Sequence, residues 1–179
     1  MKNFSLGGLA MVVGGALLVI VNAVFTPMLD TTVPFPEMMA STVYVWRLGL
    51  ASLAVFLLMV GSVGDHAHQS NHTGLFGKLA FGLAFLGSAF LFAHEWGQVF
   101  FIHSVALAAP DALQAMEDAP GLNAYDLEAM IVLGTFTLGW ILFAVSMLLA
   151  KAFARPGPVL VIAGFFAIPL FSALTSPVW

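Results

Sequence analysis

Residues 88–106 read SAFLFAHEWGQVFFIHSVA and carry His94, Glu95, Gln98 and His103 among aromatic and aliphatic neighbours. The run HEWGQ comes close to H-E-x-x-H, in which two histidines one helical turn apart hold zinc and the glutamate activates water. Here the second histidine position is Gln98, and an amide oxygen is a poor zinc ligand. His103 lies nine residues from His94, about half a turn out of phase on a helix. A zinc hydrolase is therefore not expected, and His94 with Glu95 reads as a buried polar pair.

A second group, Asp65, His66, His68 and His72, lies in GDHAHQSNHTG. His68 and His72 would share a helical face, which makes these four weak metal candidates. The flanking glycines favour a polar turn between two helices, and that reading is preferred. Haem is not expected either, because a b-type haem in a bundle usually takes a histidine from each of two helices. Only the stretch around His94 offers histidine at membrane depth. There is no cysteine, so thiolate chemistry and disulfides are excluded. No nucleophile or complete metal set accompanies His94 and Glu95, so an enzyme is the less favoured class.

The composition says where these groups must sit. Of 179 residues, 61% are hydrophobic and 8% charged, with mean hydropathy +1.02. Soluble domains carry about 25% charged residues. The chain is therefore expected in a membrane, with a bacterial-type inner membrane as the expected location. The net charge of -4 comes without a basic tract, so no nucleic-acid partner is indicated. No phosphate-cradling glycine motif is present.

About twenty mostly apolar residues are needed to cross a bilayer as a helix. Five stretches qualify, at about 6–25, 42–63, 78–103, 125–153 and 158–174. The expected fold is an all-α polytopic membrane bundle of five transmembrane helices, a single domain over residues 1–179. The first stretch exceeds the ~7–15 apolar residues of a signal peptide, so a retained helix is expected. Alternating direction places Lys2, Lys78, Lys151 and Arg155 on one side, which the positive-inside rule makes cytoplasmic. The opposite loops hold Asp30, Glu37, Asp111, Glu117 and Asp118 and no Lys or Arg. The N-terminus is then cytoplasmic and the C-terminus on the outer side. The second outer loop, with Pro110 and Asp111, suits either a short capping helix or a plain acidic loop.

Depth counting aligns the polar groups. Glu95 lies seventeen residues beyond Lys78, Arg47 sixteen before Val63 and Asn22 sixteen beyond Leu6. At 1.5 Å per residue all reach ~24–26 Å from the inner ends, the outer third of the bilayer. Thr135 and Thr137 come to a similar height. Small residues mark close-packed faces of membrane helices. Gly8 and Gly15 lead to Asn22, Gly61 and Ala54 to Arg47, and Ser88 to Glu95, so all three polar groups are expected to point inward. Arg47 and Glu95 are expected to pair, because an unpaired charge costs ~2.5–3.5 kcal/mol at mid-bilayer. Trp96 and Phe92, one turn apart, would wall the site.

The function expected from this layer is a small membrane binding or accessory protein. Arg47, Glu95, His94, Gln98, Asn22 and Trp96 would line a polar pocket for a lipid, quinone or other amphipathic ligand. Alternatively, the bundle would dock onto a larger membrane complex or form a homo-oligomer. A small transporter or proton-transfer protein using Glu95 and His94 is a second reading, and an intramembrane enzyme or haem protein a third.

Overall fold

The computed structural model describes residues 6–151 and 154–175, with side chains up to residue 165. Lys2 and the end of the fourth expected helix, at 152–153, lie outside the described residues. Every described element is helical. Helix α1 spans Leu6–Ile20 and continues through a π-turn, Val21–Phe25, and a 3-10 turn, Thr26–Met28. Then come α2 (Phe35–Ala40), α3 (Thr42–Gly97), a second π-turn (Gln98–Ile102), α4 (His103–Ala108), α5 (Pro110–Glu117), α6 (Ala124–Ala150) and α7 (Pro156–Thr175). Among the described residues, three helical runs are long and apolar enough to cross a membrane: Leu6–Met28, Thr42–Ala108 and Ala124–Ala150. The described residues thus form an all-helical fold with the apolar lengths of a membrane protein.

Helix α3 is a hairpin. Its one non-helical residue is Gly74, at φ 58° and ψ -151°, a region open essentially to glycine alone. Contacts are nested around that residue. Tyr44 bonds Gln98, Arg47 faces Glu95, the Phe56 and Phe92 rings lie 6.2 Å apart, and His66 stacks on Phe81 at 4.1 Å. Two antiparallel arms result, residues 42–73 and 75–97. The polar segment expected as a turn at 64–77 is therefore helical on both sides of a one-residue reversal. Packing explains the difference. Gln69 is fully buried and donates to the Ser146 hydroxyl at 3.2 Å, so this segment braces α6.

That contact places the C-terminal end of α6 beside the Gly74 reversal. Lys78 and Lys151 share this end, called here the basic end. The loops bearing Glu37, Asp111, Glu117 and Asp118 lie at the other, acidic end.

Close helix approach follows small residues. A Cβ on Gly87 would fall 2.6 Å from the Phe136 backbone, and one on Gly139 would fall 2.7 Å from that of Ala84. Beside this crossing the Trp140 indole donates to the Ser88 hydroxyl at 2.9 Å. Helix α1 packs through Gly7, against Gly64, and Gly14, against the Ala54 carbonyl. Seven residues further on, the same face carries Val21, 1% exposed. Gly15 meets nothing within 4 Å. The packing face of α1 is therefore rotated by one residue from the expected Gly8–Gly15–Asn22 line.

A second small core closes the acidic end. Met39 from α2, Tyr44 and Leu48 from α3, Ala106 from α4 and Leu113 from α5 are all buried together. Of the two readings of the loop at Pro110, capping helix or plain acidic loop, the structure has the helix, with Leu113 3% exposed. Helix α2 joins it, and His103 ties the two loops by bonding the Met39 carbonyl at 2.9 Å. Asp30 accepts from the Thr32 backbone N–H and hydroxyl, and these bonds hold its carboxyl below the usual carboxylate range.

Candidate functional site

The polar groups of the acidic end form two adjacent sets across the α3 hairpin. Tyr44 and Arg47 lie one turn apart on the first arm, and Glu95, on the second, lies one turn before Gln98, the first residue of the π-turn that follows that arm. Antiparallel register therefore brings Tyr44 opposite Gln98 and Arg47 opposite Glu95.

The first set is closed. The Tyr44 hydroxyl donates to Gln98 Oε1, and Gln98 Nε2 donates to His94 Nε2. The Nε2 of His94 is thus an acceptor, which leaves the ring proton on Nδ1. Nδ1–H then donates to Glu128 Oε2 at 2.6 Å. Tyr44 is 2% and Gln98 8% exposed, and the Tyr125 ring lies 5.7 Å from that of His94. The chain runs in one direction, from phenol to amide to imidazole to carboxylate. Its amide link carries no exchangeable acidic proton at ordinary pH, so it fixes side chains rather than conducting protons.

The second set is open. Arg47 Nε donates to the Thr26 hydroxyl at 3.0 Å. The π-turn of α1 delivers Thr26: its N–H and its hydroxyl both reach the Val21 carbonyl. Arg47 Nη1 stands 4.0 Å from Glu95 Oε2, an ion-pair separation too long for a hydrogen bond. Glu95 Oε2 is buried and has no hydrogen-bond partner among the described residues. The side chains keep 22% and 13% of their exposure. The guanidinium is held at Nε while its outer nitrogens face an incompletely paired carboxylate.

The expected site residues divide accordingly. Arg47, Glu95, His94 and Gln98 come together, but His94 pairs with Glu128, not Glu95. Asn22 does not join them. It is exposed and donates to the Leu18 carbonyl at 2.8 Å, a consequence of the rotated α1 face. Trp96 is half exposed, stacked on Phe92 and tilted against Phe100, so its ring partners are apolar. Thr135 is half-buried and bonds the Ile131 carbonyl of its own helix. Asp65, His66, His68 and His72 lie on the last turns of the first arm, and no three potential ligands gather among the described residues.

Tyr44, Thr26 and Glu128 are additions that sequence reasoning missed. A usable signal existed for Glu128, which lies near the acidic end of α6, at the level of His94. No family model, curated protein or solved structure matches this chain.

Proposed function

We propose that the protein is a small integral membrane binding protein whose Arg47–Glu95 pair receives the polar head of a lipid, quinone or other amphipathic molecule. The carrying observation is the contrast between the two polar sets. The Tyr44–Gln98–His94–Glu128 chain is closed and suffices to fix hairpin register. The Arg47–Glu95 pair beside it is left incomplete, with a buried carboxylate oxygen unbonded. Such an oxygen costs about 1–3 kcal/mol or more, and ionisable groups within spans mark ligand or ion pathways. Arg47 would hold an anionic or carbonyl group, and Glu95 and Thr26 would aim the guanidinium.

The reading includes five crossings, the α3 hairpin supplying two and α7 the last. The basic end would be cytoplasmic, as Lys78 and Lys151 at one end favour. The test is an organic extract of protein purified in mild detergent, compared between wild type and Arg47→Leu. A molecule enriched with wild type and lost from a folded Arg47→Leu variant supports the proposal. An empty extract, with a protein partner retained equally by both forms, replaces it with the accessory-subunit reading.

A further inference from the structure

A groove of about 340 Å³ runs along the outside of the bundle between the second arm of α3 and the first turns of α6. Phe90 and Ala93 form one wall, and Leu127, Glu128, Ile131 and Val132 the other. Glu128 is its one charged lining residue. Its place along the groove gives the groove a polarity. Helix α6 enters from the acidic end, so Glu128 stands near the mouth, while Ile131 and Val132 lie a turn deeper. On the facing arm Phe90 lies a turn below His94.

Glu128 is held there. His94 Nδ1–H fixes Oε2 at 2.6 Å, and the side chain remains 48% exposed. Arg47 is turned to Glu95 and Thr26, and the loops at this mouth carry charge of one sign. Glu117, Asp118 and Asp126 flank the start of α6, and neither loop at this end contains Lys or Arg. An anionic head would meet repulsion here, whereas an ammonium would find a fixed carboxylate partner.

We infer that this groove seats one chain of a membrane lipid whose headgroup bears a primary ammonium. The ammonium pairs with Glu128, and the chain lies along Phe90, Ile131 and Val132. His94 acts as a positioning residue that keeps the carboxylate over the mouth. The inference stands apart from the Arg47 site, whose charge preference is opposite.

The test is native mass spectrometry of the purified protein in neutral detergent. Phosphatidylethanolamine and phosphatidylglycerol with identical acyl chains are supplied in equal amounts. Wild type is expected to retain the ethanolamine lipid about fivefold better, the effect of roughly one interfacial charge. Glu128→Gln should bring that ratio to about one. Ala93→Leu, at an exposed wall position, should reduce both adducts without lowering the unfolding temperature. Asn71→Ala, exposed at the opposite end, should leave the ratio unchanged, and Glu128→Gln made on an Arg47→Leu background should still lower it, which separates this site from the proposed function. Equal retention by wild type, an unaltered ratio in Glu128→Gln, or undiminished adducts in Ala93→Leu would each overturn the inference.

Discussion

Tyr44 opens the Tyr44–Gln98–His94–Glu128 chain as its buried donor, so its hydroxyl is the residue-scale test of that set. Tyr44→Phe leaves Gln98 Oε1 buried without its donor. It should cost about 1–3 kcal/mol of stability, read by thermal unfolding in detergent. Ser88→Ala is a milder case. It removes the acceptor of the Trp140 indole and should cost about 0.6 kcal/mol, the average for hydrogen bonds between membrane helices, and no more than about 1.7 kcal/mol, the largest such value. At this scale the sequence was legible where charge was scarce. Arg47 is the only basic residue in the sequence toward the outer side, and depth counting brings it level with Glu95. The Glu128 link was not legible in the same way. Counting on the fourth helix stopped at Thr135 and Thr137, and adjacency of His94 and Glu95 suggested a pair that a helix, turning about 100° per residue, does not make.

Among the elements, the glycines carry the sharpest expectations because backbone meets backbone at some of them and not at others. Gly87→Ala and Gly139→Ala push a methyl group into the neighbouring main chain, and each should cost about 1–3 kcal/mol by overpacking. Gly15→Ala, in open space, should be neutral or slightly stabilising. A loss of stability at Gly15 equal to that at Gly87 would contradict the assigned α1 face. Gly74→Ala should cost about 1–3 kcal/mol through backbone strain alone. Helix existence was readable from apolar length. Helix rotation was not, since Gly7, Gly8, Gly14 and Gly15 offer two small-residue lines one residue apart. Choosing the wrong one turned Asn22 inward on paper. The reversal at Gly74 was hidden because polar residues 65–73 read as a solvated turn, while the burial of Gln69 against Ser146 depends on a partner 77 residues away.

The whole molecule is a bundle with acidic loops at one end and lysines at the other, closed at the acidic end by its own small core. The chain has no cysteine, so single cysteines report topology without background. Asn71 and Asp118 are exposed at opposite ends. A membrane-impermeant maleimide added to intact cells should label Asp118→Cys and leave Asn71→Cys unlabelled until the membrane is opened. Labelling of both from outside would contradict the proposed orientation. Composition made the membrane setting legible, and loop charge gave the orientation its argument. The small end core was only partly readable. Pro110 and Asp111 suited either α5 or a plain acidic loop, and α2 lay in a stretch read only as an outer loop bearing Asp30 and Glu37.

The central claim is that the Arg47–Glu95 pair serves a ligand rather than a brace. Arg47→Leu, Glu95→Gln and the double variant, each assayed for unfolding temperature and for the molecule co-purified with wild type, test it most directly. The account predicts that both single variants keep near-native unfolding temperatures and lose the bound molecule, with no recovery in the double variant. Single variants that are strongly destabilised, together with a double variant restored to wild-type stability and unchanged in bound content, would contradict it.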